Sequence, residues 1–224
     1  MRRWGAQVER ADEATWRVTA GAHYQPRHDV VEYDASAAAH LYALAVATAG
    51  RVTVTNAAPG SGQPDAGLTA VLEAMGAQVR RVGEEVTVVG PDVPAAVDVD
   101  LRAMPDMVTT VAALAALAPG ISRISGVEVA RAHETDRLAA LATELGKLGV
   151  SVTERPDGLV VQGGGAQGPA RLATNDDHRL AMAFAAVAAR VPDVTVEEPG
   201  CVAKTYPGFW DDLRKVGVTW REVG

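Results

Sequence analysis

Residues 72–90, "LEAMGAQVRRVGEEVTVVG", decide how the rest of the chain is interpreted. They start as the end of a helix, reach Gly76, and continue as alternating residues that suit a strand, a turn and a second strand. Glycine is the expected helix stop at such a point, because it adopts the left-handed conformation without a steric penalty. The stretch therefore predicts the end of a helix followed by a β-hairpin.

Three other stretches have the same form. They are "MRRWGAQVERADEATWRVTAG" at 1–21, "LGKLGVSVTERPDGLVVQG" at 145–163 and "LRKVGVTWREVG" at 213–224, with glycines at Gly5, Gly149 and Gly217. The spacing of the four glycines is roughly 70 residues, which predicts a fold built from repeats. The last copy contains only the first of the two closing strands.

The beginnings of the repeats also match. Asp34, Asp106 and Asp177 each precede an Ala-rich stretch that is apolar on most faces, so we expect three buried helices. A short strand is expected after each helix, at 51–56, 122–127 and 193–198. One repeat is then strand, buried helix, strand, outer helix, strand, strand, and Pro207 is expected to open the last outer helix at its first position.

This pattern divides the chain into a short N-terminal piece and three repeats. Residues 28–224 hold the repeats, at about 28–93, 94–165 and 166–224, while residues 1–27 are the tail of a fourth repeat and a connector. We expect the chain to be the C-terminal part of a longer ancestral protein. The alternative is that the first 21 residues form a helix and hairpin by coincidence.

Composition limits the classes of function. The chain has 224 residues, 48% of them hydrophobic, and a net charge of -7, which argues against a nucleic-acid binder or a binder of anionic membranes. Cys201 is the only cysteine, so neither a disulfide framework nor a cysteine-rich metal site is expected, and a cytoplasmic setting is the simplest interpretation. No apolar run has the length of a membrane helix.

Five stretches together resemble the 5-enolpyruvylshikimate-3-phosphate synthase (3-phosphoshikimate 1-carboxyvinyltransferase) family. They are "YDASAAAHLYALA", "MPDMVTTVAALAAL", "HETDRLAALATELGKLGV", "NDDHRLAMAFAAVA" and "CVAKTYPGFWDDLRKVGV". The resemblance implies an α/β fold with two lobes, each an inside-out α/β barrel of three repeats around buried helices. This chain resembles the C-terminal lobe, preceded by the last helix and strands of the N-terminal lobe.

The resemblance also implies an activity. The family transfers the enolpyruvyl group of phosphoenolpyruvate to a hydroxyl of shikimate 3-phosphate and releases phosphate, by addition and elimination, without a metal or an organic cofactor. Its N-terminal lobe supplies serines, a lysine and an arginine that bind both substrates. We therefore expect little turnover without a complementary N-terminal lobe.

Two arginines are candidates for binding an anion. Arg137 and Arg179 each stand in the first turn of an expected helix, where the helix dipole and a guanidinium together suit a carboxylate or phosphate. The resemblance assigns both to phosphoenolpyruvate. Pairing with Glu134, Asp136 or Asp177 explains the two arginines equally well from the sequence alone.

The resemblance assigns catalytic roles to three residues. Asp106 is the candidate base on the shikimate hydroxyl, although an aspartate at this repeat position also suits a helix cap. Glu134 is a candidate proton carrier, and burial near other anions is expected to raise its pKa; a first-turn acid at the helix dipole is the alternative. Lys204 is expected to bind the phosphate of phosphoenolpyruvate and to transfer a proton, unless it is simply a solvated lysine.

Some positions depart from the family pattern or have a structural explanation. His133 stands where most members have a lysine that contacts shikimate 3-phosphate. His178 could pair with Asp177, and orienting Arg179 is its expected task. "GGGAQG" at 163–168 lacks the ending of a phosphate loop and is interpreted as a flexible linker. No zinc motif is present in "HETDR".

Other functions stay open at this point. The chain could be a non-catalytic anion-binding repeat domain or an inactive fragment, although the five charged candidate residues are retained. A transferase acting on UDP-N-acetylglucosamine shares the fold, but it lacks the combination of "ETDR" and "AKTYP" found here.

Overall fold

The computed structural model describes residues 1–21, 23–57 and 60–223. They form two compact units, the first ending at Glu32 and the second beginning at Tyr33. The first unit has a 3-10 turn, Arg2–Trp4, and a hairpin of β1, Val8–Arg10, and β2, Trp16–Val18. The strands are antiparallel, as the sequence predicts for the first repeat-like stretch.

The described part of the second unit contains six helices and nine strands. The helices are α1 Ala35–Thr48, α2 Leu68–Ala74, α3 Val108–Leu117, α4 Arg137–Gly146, α5 His178–Ala188 and α6 Phe209–Lys215. The strands are β3 Arg51–Val54, β4 Gln78–Val82, β5 Glu85–Val89, β6 Asp98–Asp100, β7 Gly120–Ser125, β8 Ser151–Arg155, β9 Gly158–Gly163, β10 Ala170–Leu172 and β11 Val194–Val196.

These strands form three separate sheets. The first has the order β3-β5-β4 and is antiparallel throughout. The second has the order β6-β7-β9-β8, with β6 parallel to β7 and the other pairs antiparallel. The third is a parallel pair of β10 and β11. This is a mixed α/β fold.

The core lies among the Ala-rich helices. α1, α3 and α5 contact one another, and nine of the ten residues of α3 are buried. Alanine suits this position because its small side chain lets helix backbones approach closely and costs no side-chain entropy. By contrast, α4 buries one apolar face, which includes Leu138, Leu141 and Leu145, and packs against β8. The expected distinction between buried and outer helices is therefore present in the structure.

The glycines that mark the helix stops have the expected conformation. Gly5, Gly76, Gly149 and Gly217 have φ of 84°, 97°, 79° and 95°, in the left-handed region that favours glycine. The hairpins predicted after the second and third of them are β4-β5 and β8-β9. Local sequence signals were sufficient for these elements.

Several local predictions are wrong. Residues 218–223 are not a strand, because no antiparallel partner is in place for them among the described residues, and Gly224 lies outside the described residues. Residues 28–33 contain no strand before α1. The last helix begins at Phe209, after a 3-10 turn, Pro199–Lys204, and not at Pro207.

The predicted flexible linker is also wrong. Gly163 ends β9, Gly164 donates its backbone N–H to Ala116 at 3.0 Å, and Gln167 donates to Leu148 at 3.0 Å. Gly163 and Gly164 permit close packing against α3 and the residues at its end. Among the described residues, no helix is long and apolar enough to cross a membrane.

Candidate active site

Seven charged or titratable side chains meet in one place, which we call the charged cluster. They come from the 3-10 turn Pro105–Met107, the segment before α4, the first turns of α4 and α5, and the end of the 3-10 turn Pro199–Lys204. The members are Asp106, His133, Glu134, Arg137, Asp177, Arg179 and Lys204. All six candidate residues named from the sequence lie in it.

Arg137 is the centre of the charged cluster. Its side chain is 1% exposed, and Nε and Nη2 contact the Asp177 carboxylate at 2.7 and 3.3 Å. Nη2 also donates to Glu134 at 2.8 Å, while Nη1 contacts Asp106 and Nδ1 of His133, each at 2.8 Å. These contacts use the five N–H donors of a guanidinium. The predicted pairing of Arg137 with acidic neighbours is present, although Asp136 is not among its partners.

Burial of Arg137 is possible because carboxylates surround it. Burial alone would lower the pKa of Arg137, but the hydrogen bond and charge of Asp177, with the charges of Asp106 and Glu134, raise it. Asp136 has other tasks. It caps α4 by accepting from the N–H groups of Leu138 and Ala139, and it pairs with Arg131.

Asp177 links two helices. Oδ1 accepts from the backbone N–H of Arg179 at 2.8 Å and caps α5, while both oxygens accept from the guanidinium of Arg137 of α4. The predicted cap is therefore confirmed. The Asp177 carboxylate binds Arg137 and the start of α5. The sequence suggests that His178 pairs with this carboxylate, but Nδ1 of His178 is buried without a hydrogen-bond partner among the described residues.

Asp106 does not act as a cap, unlike Asp34 and Asp177 at the matching sequence positions. Asp34 accepts from the N–H of Ala37, but Asp106 makes no side-chain cap hydrogen bond. Its two oxygens instead contact Nη1 of Arg137 at 2.8 Å and Nη2 of Arg179 at 3.0 Å. Asp106 is therefore a partly exposed carboxylate that joins two guanidinium groups from different helices.

Glu134 is held as a carboxylate by Lys204. Nζ of Lys204 lies 2.5 Å from Oε1 of Glu134. This hydrogen bond lowers the pKa of Glu134 to about 2, against the opposing effect of burial. The expectation of a raised pKa is wrong for this state of the site, because it took account of the neighbouring anions but not of a lysine 70 residues away in the chain.

The cations differ in their access to solvent. Lys204 is 56% exposed and Arg179 is 14% exposed, whereas Arg137 is closed off. Three cations face three carboxylates in the charged cluster: Arg137, Arg179 and Lys204 against Asp106, Glu134 and Asp177. Lys204 and Arg179 are thus the cations of the cluster that solvent reaches, and each is paired with a carboxylate, Glu134 or Asp106.

Sequence reasoning missed a polar group behind the cluster. His40 of α1 is 1% exposed, its Nδ1 lies 3.4 Å from Oγ1 of Thr110, and its Nε2 has no hydrogen-bond partner among the described residues. Burial lowers its pKa to about 3, with smaller effects from Arg179, His178 and Arg137. A lone histidine in the middle of an Ala-rich apolar helix was the available signal.

Cys201 does not resemble a nucleophile. Burial raises the pKa of its thiol, so the thiolate is disfavoured near neutral pH. Within the described part of the chain, no group of three or more His, Cys, Asp or Glu residues is arranged to hold a metal ion.

Comparison with known proteins identifies the family to which the chain is similar. Residues 1–213 match the family model described as EPSP synthase (3-phosphoshikimate 1-carboxyvinyltransferase). A 3-phosphoshikimate 1-carboxyvinyltransferase of Nostoc punctiforme is 40% identical over 94% of this chain and 49% of its own length. That of Syntrophobacter fumaroxidans is 44% identical over 89% of this chain and 47% of its own length.

Solved structures show the same fold. An EPSP synthase from Acinetobacter baumannii superimposes with a TM-score of 0.84 at 21% identity, covering 97% of this chain and 53% of that one. The enolpyruvyl transferase NikO from Streptomyces tendae gives a TM-score of 0.73 at 23% identity. The chain spans about half the length of the curated relatives it matches. On the extent of the family match and the identity to these relatives, the chain belongs to the EPSP synthase family.

Proposed function

We propose that this chain provides one half of the active site of a 3-phosphoshikimate 1-carboxyvinyltransferase. The reaction transfers the enolpyruvyl group of phosphoenolpyruvate to shikimate 3-phosphate and releases phosphate. Family membership supports this reaction, and both substrates are anions that need cations for binding. Because the chain spans about half of its relatives, the remaining contacts are assigned to the half of the family fold that it does not span.

The observation that carries this proposal is the joining of Arg179 and Arg137 by Asp106. Two guanidinium groups from different helices share one partly exposed carboxylate, with Lys204 nearby on Glu134. Planar guanidinium groups bind carboxylate and phosphate through paired hydrogen bonds. A purely structural ion pair would not need the exposed members.

Each residue then has a role. Arg179 and Lys204 bind phosphoenolpyruvate directly, and Arg137 contributes charge while holding Asp106 and Glu134 in place. Asp106 accepts the proton of the shikimate hydroxyl, and Glu134 and Lys204 exchange protons with the carbon skeleton and the phosphate. His133, whose Nδ1 lies 3.4 Å from Asp106, contacts shikimate 3-phosphate.

The same proposal covers the architecture. Residues 1–27 are the end of the N-terminal lobe and a connector, and residues 28–224 are a C-terminal lobe of three repeats in an inside-out α/β barrel. The three buried helices and the hairpins β4-β5 and β8-β9 support this view. The partner is a complementary N-terminal lobe, and the cytoplasmic setting is kept because Cys201 is the only cysteine.

The test is phosphate release from phosphoenolpyruvate and shikimate 3-phosphate. The chain is assayed alone and with the other half of the fold, taken from a relative and expressed separately. Activity is expected in the mixture. Asp106→Asn should lower kcat by about 100-fold or more, as for loss of a general base. Arg179→Gln should raise the KM for phosphoenolpyruvate by about 10- to 100-fold, as for loss of a charged hydrogen bond.

Arg171→Gln is the matched control. Arg171 pairs with one carboxylate, Glu197, and lies 64% exposed outside the charged cluster, so its replacement should leave kcat and KM unchanged. A mixture that is active and insensitive to Asp106→Asn would reject the role of Asp106. A mixture of folded halves without any phosphate release would reject the proposed reaction for this chain.

A further inference from the structure

His178 is a buried histidine beside the charged cluster, and one of its ring nitrogens has no hydrogen-bond partner among the described residues. It is the first residue of α5 and its side chain is 4% exposed. Nδ1 has no hydrogen-bond partner among the described residues and lies 4.0 Å from Oε1 of Glu134. A buried polar atom without a partner is unfavourable, so it needs an explanation.

The nearest acidic oxygen is already occupied. Oε1 of Glu134 is the atom that Lys204 holds at 2.5 Å, while Oε2 of the same carboxylate stays on Arg137 at 2.8 Å. Arg137 is closed in by its own partners. Lys204 is 56% exposed on a long side chain, so it can exchange its partner without movement of the backbone.

We propose that an anion bound by Lys204 draws it away from Glu134, and that one proton from solvent then enters between Oε1 of Glu134 and Nδ1 of His178. His178 becomes the residue that positions Glu134 in the liganded site. The inference rests on the proposed function, since it requires the charged cluster to bind an anion. The balance is simple: Lys204 stays an ammonium group, and one proton is taken up for each anion bound.

The surrounding charges favour this exchange. The charged and titratable groups around Glu134 and His178 are Arg137 of α4, Asp177 and Arg179 of α5, Lys204 of the turn before α6, and His40 of α1, with Asp106 and His133 on the other side of Arg137. Burial lowers the pKa of His178, and the carboxylates of Asp177 and Glu134 oppose this effect. Once Lys204 leaves, the charge of Glu134 is less compensated, and a shared proton on the pair becomes favourable.

The exchange gives Glu134 a proton to donate only when the ligand is bound. In the free site, Glu134 is a carboxylate and has nothing to donate. In the liganded site, Glu134 carries or shares a proton directly beside the anion. His178 acts through Glu134 and does not itself touch the ligand.

Sulfate is a suitable probe because it does not titrate near neutral pH, so every proton taken up belongs to the protein. Binding to the full chain is measured by titration calorimetry at pH 6.5 in two buffers of different protonation enthalpy. The expected result is an uptake approaching one proton per sulfate. Affinity should rise by up to about tenfold per unit fall in pH, the limit for one proton.

Variants identify where the proton goes. Glu134→Gln should bind sulfate with no proton uptake. His178→Asn keeps an acceptor close to the place of Nδ1 and should retain part of the uptake, whereas His178→Leu should lose it. Lys204→Met should weaken sulfate binding, and Lys215→Met, which removes an exposed lysine paired with Asp212, should change neither quantity.

The outcomes separate the two proposals. Sulfate binding without proton uptake overturns the exchange and leaves the anion site standing. Uptake that persists in both Glu134→Gln and His178→Leu places the proton elsewhere and also overturns the exchange. Absence of sulfate binding by the folded chain removes the anion site and the exchange together.

Discussion

The guanidinium of Arg137 and the carboxylate of Asp177 form an ion pair closed to solvent. Nε lies 2.7 Å from Oδ2, and the side chains are 1% and 0% exposed. Because Asp177 also caps α5, the pair ties the first turn of α4 to the first turn of α5. The charged cluster is thus built on a contact that holds two helix starts at a fixed distance.

Removal of the Asp177 carboxylate should destabilise the protein. Asp177→Ala leaves the Arg137 charge buried with one partner fewer, so we expect the free energy of unfolding to fall by about 3–5 kcal/mol. Urea denaturation measures it. The control is Glu197→Ala, which breaks an exposed pair with Arg171 and should cost at most about 1 kcal/mol. Equal costs for the two variants would show that the buried pair has no special part in stability.

The sequence predicted the elements better than the partners. Gly76 and Gly149 identified the helix ends, and the alternation after them identified the hairpins, because these signals lie within a few residues of one another. The task of Asp106 could not be distinguished from that of a helix cap. Its partners Arg137 and Arg179 are brought in by tertiary packing from 31 and 73 positions away.

The same limit explains the error about Glu134. Burial near other anions predicts a raised pKa for Glu134, and the residue that reverses the direction, Lys204, belongs to another element. The prediction of a strand at 218–223 is wrong for a related reason. Alternating residues suit a strand, but a strand also needs a neighbour to pair with, and that information is not local.

Two glycines close together in the chain should respond differently to alanine. A Cβ on Gly163 would lie 1.9 Å from the carbonyl oxygen of Ala115 and 2.6 Å from that of Ala118, both backbone atoms of α3 and its end. Gly163→Ala should therefore destabilise the protein by at least about 1–3 kcal/mol. Gly165 has open space at this position and a φ outside the left-handed region, so Gly165→Ala should change stability by less than about 1 kcal/mol.

Thermal or urea unfolding measures the change in stability of the two alanine variants relative to the wild type. A large loss of stability in Gly165→Ala would indicate that residues 163–168 are constrained in a way that the contacts of Gly165 do not show. A small loss in Gly163→Ala would mean that β9 and α3 separate easily, contrary to the close packing found here.

His40 should make stability depend on pH. The pKa of His40 is lowered from 6.5 in the unfolded chain to about 3 in the folded one, because its ring is fully buried. Between about pH 3 and pH 6.5, His40 is protonated in the unfolded chain but not in the folded one. The contribution of His40 is therefore present above pH 6.5 and is lost as the pH falls toward 3, by ~1.4 kcal/mol per pH unit.

The measurement is the difference in free energy of unfolding between the wild type and His40→Leu at pH 7, 5.5 and 4.5. Leucine removes the titration, so the difference should shift in favour of the variant at lower pH. His28→Leu replaces an exposed histidine and should show no such shift. A difference that stays constant with pH would mean that water reaches His40 and lets it ionise.

Lys204 should control the ionisation of Glu134 in the free protein. Its hydrogen bond is the largest cause of the lowered pKa of Glu134, and Lys204→Met removes it while leaving Arg137 in place. Carboxyl carbon NMR should show the pKa of Glu134 rise from about 2 toward or above the ordinary value of 4.5. Lys215→Met should leave it unchanged, since that lysine pairs with Asp212.

The effect on stability has a defined sign. A pKa lowered by folding contributes stability that is present above about pH 4.5 and is lost as the pH falls toward 2. Because Lys204 is half exposed, Lys204→Met should lower the free energy of unfolding by at most about 1 kcal/mol at pH 7, and by less as the pH approaches 2. A Glu134 that titrates identically in the wild type and in Lys204→Met would show that the ion pair is not formed in solution.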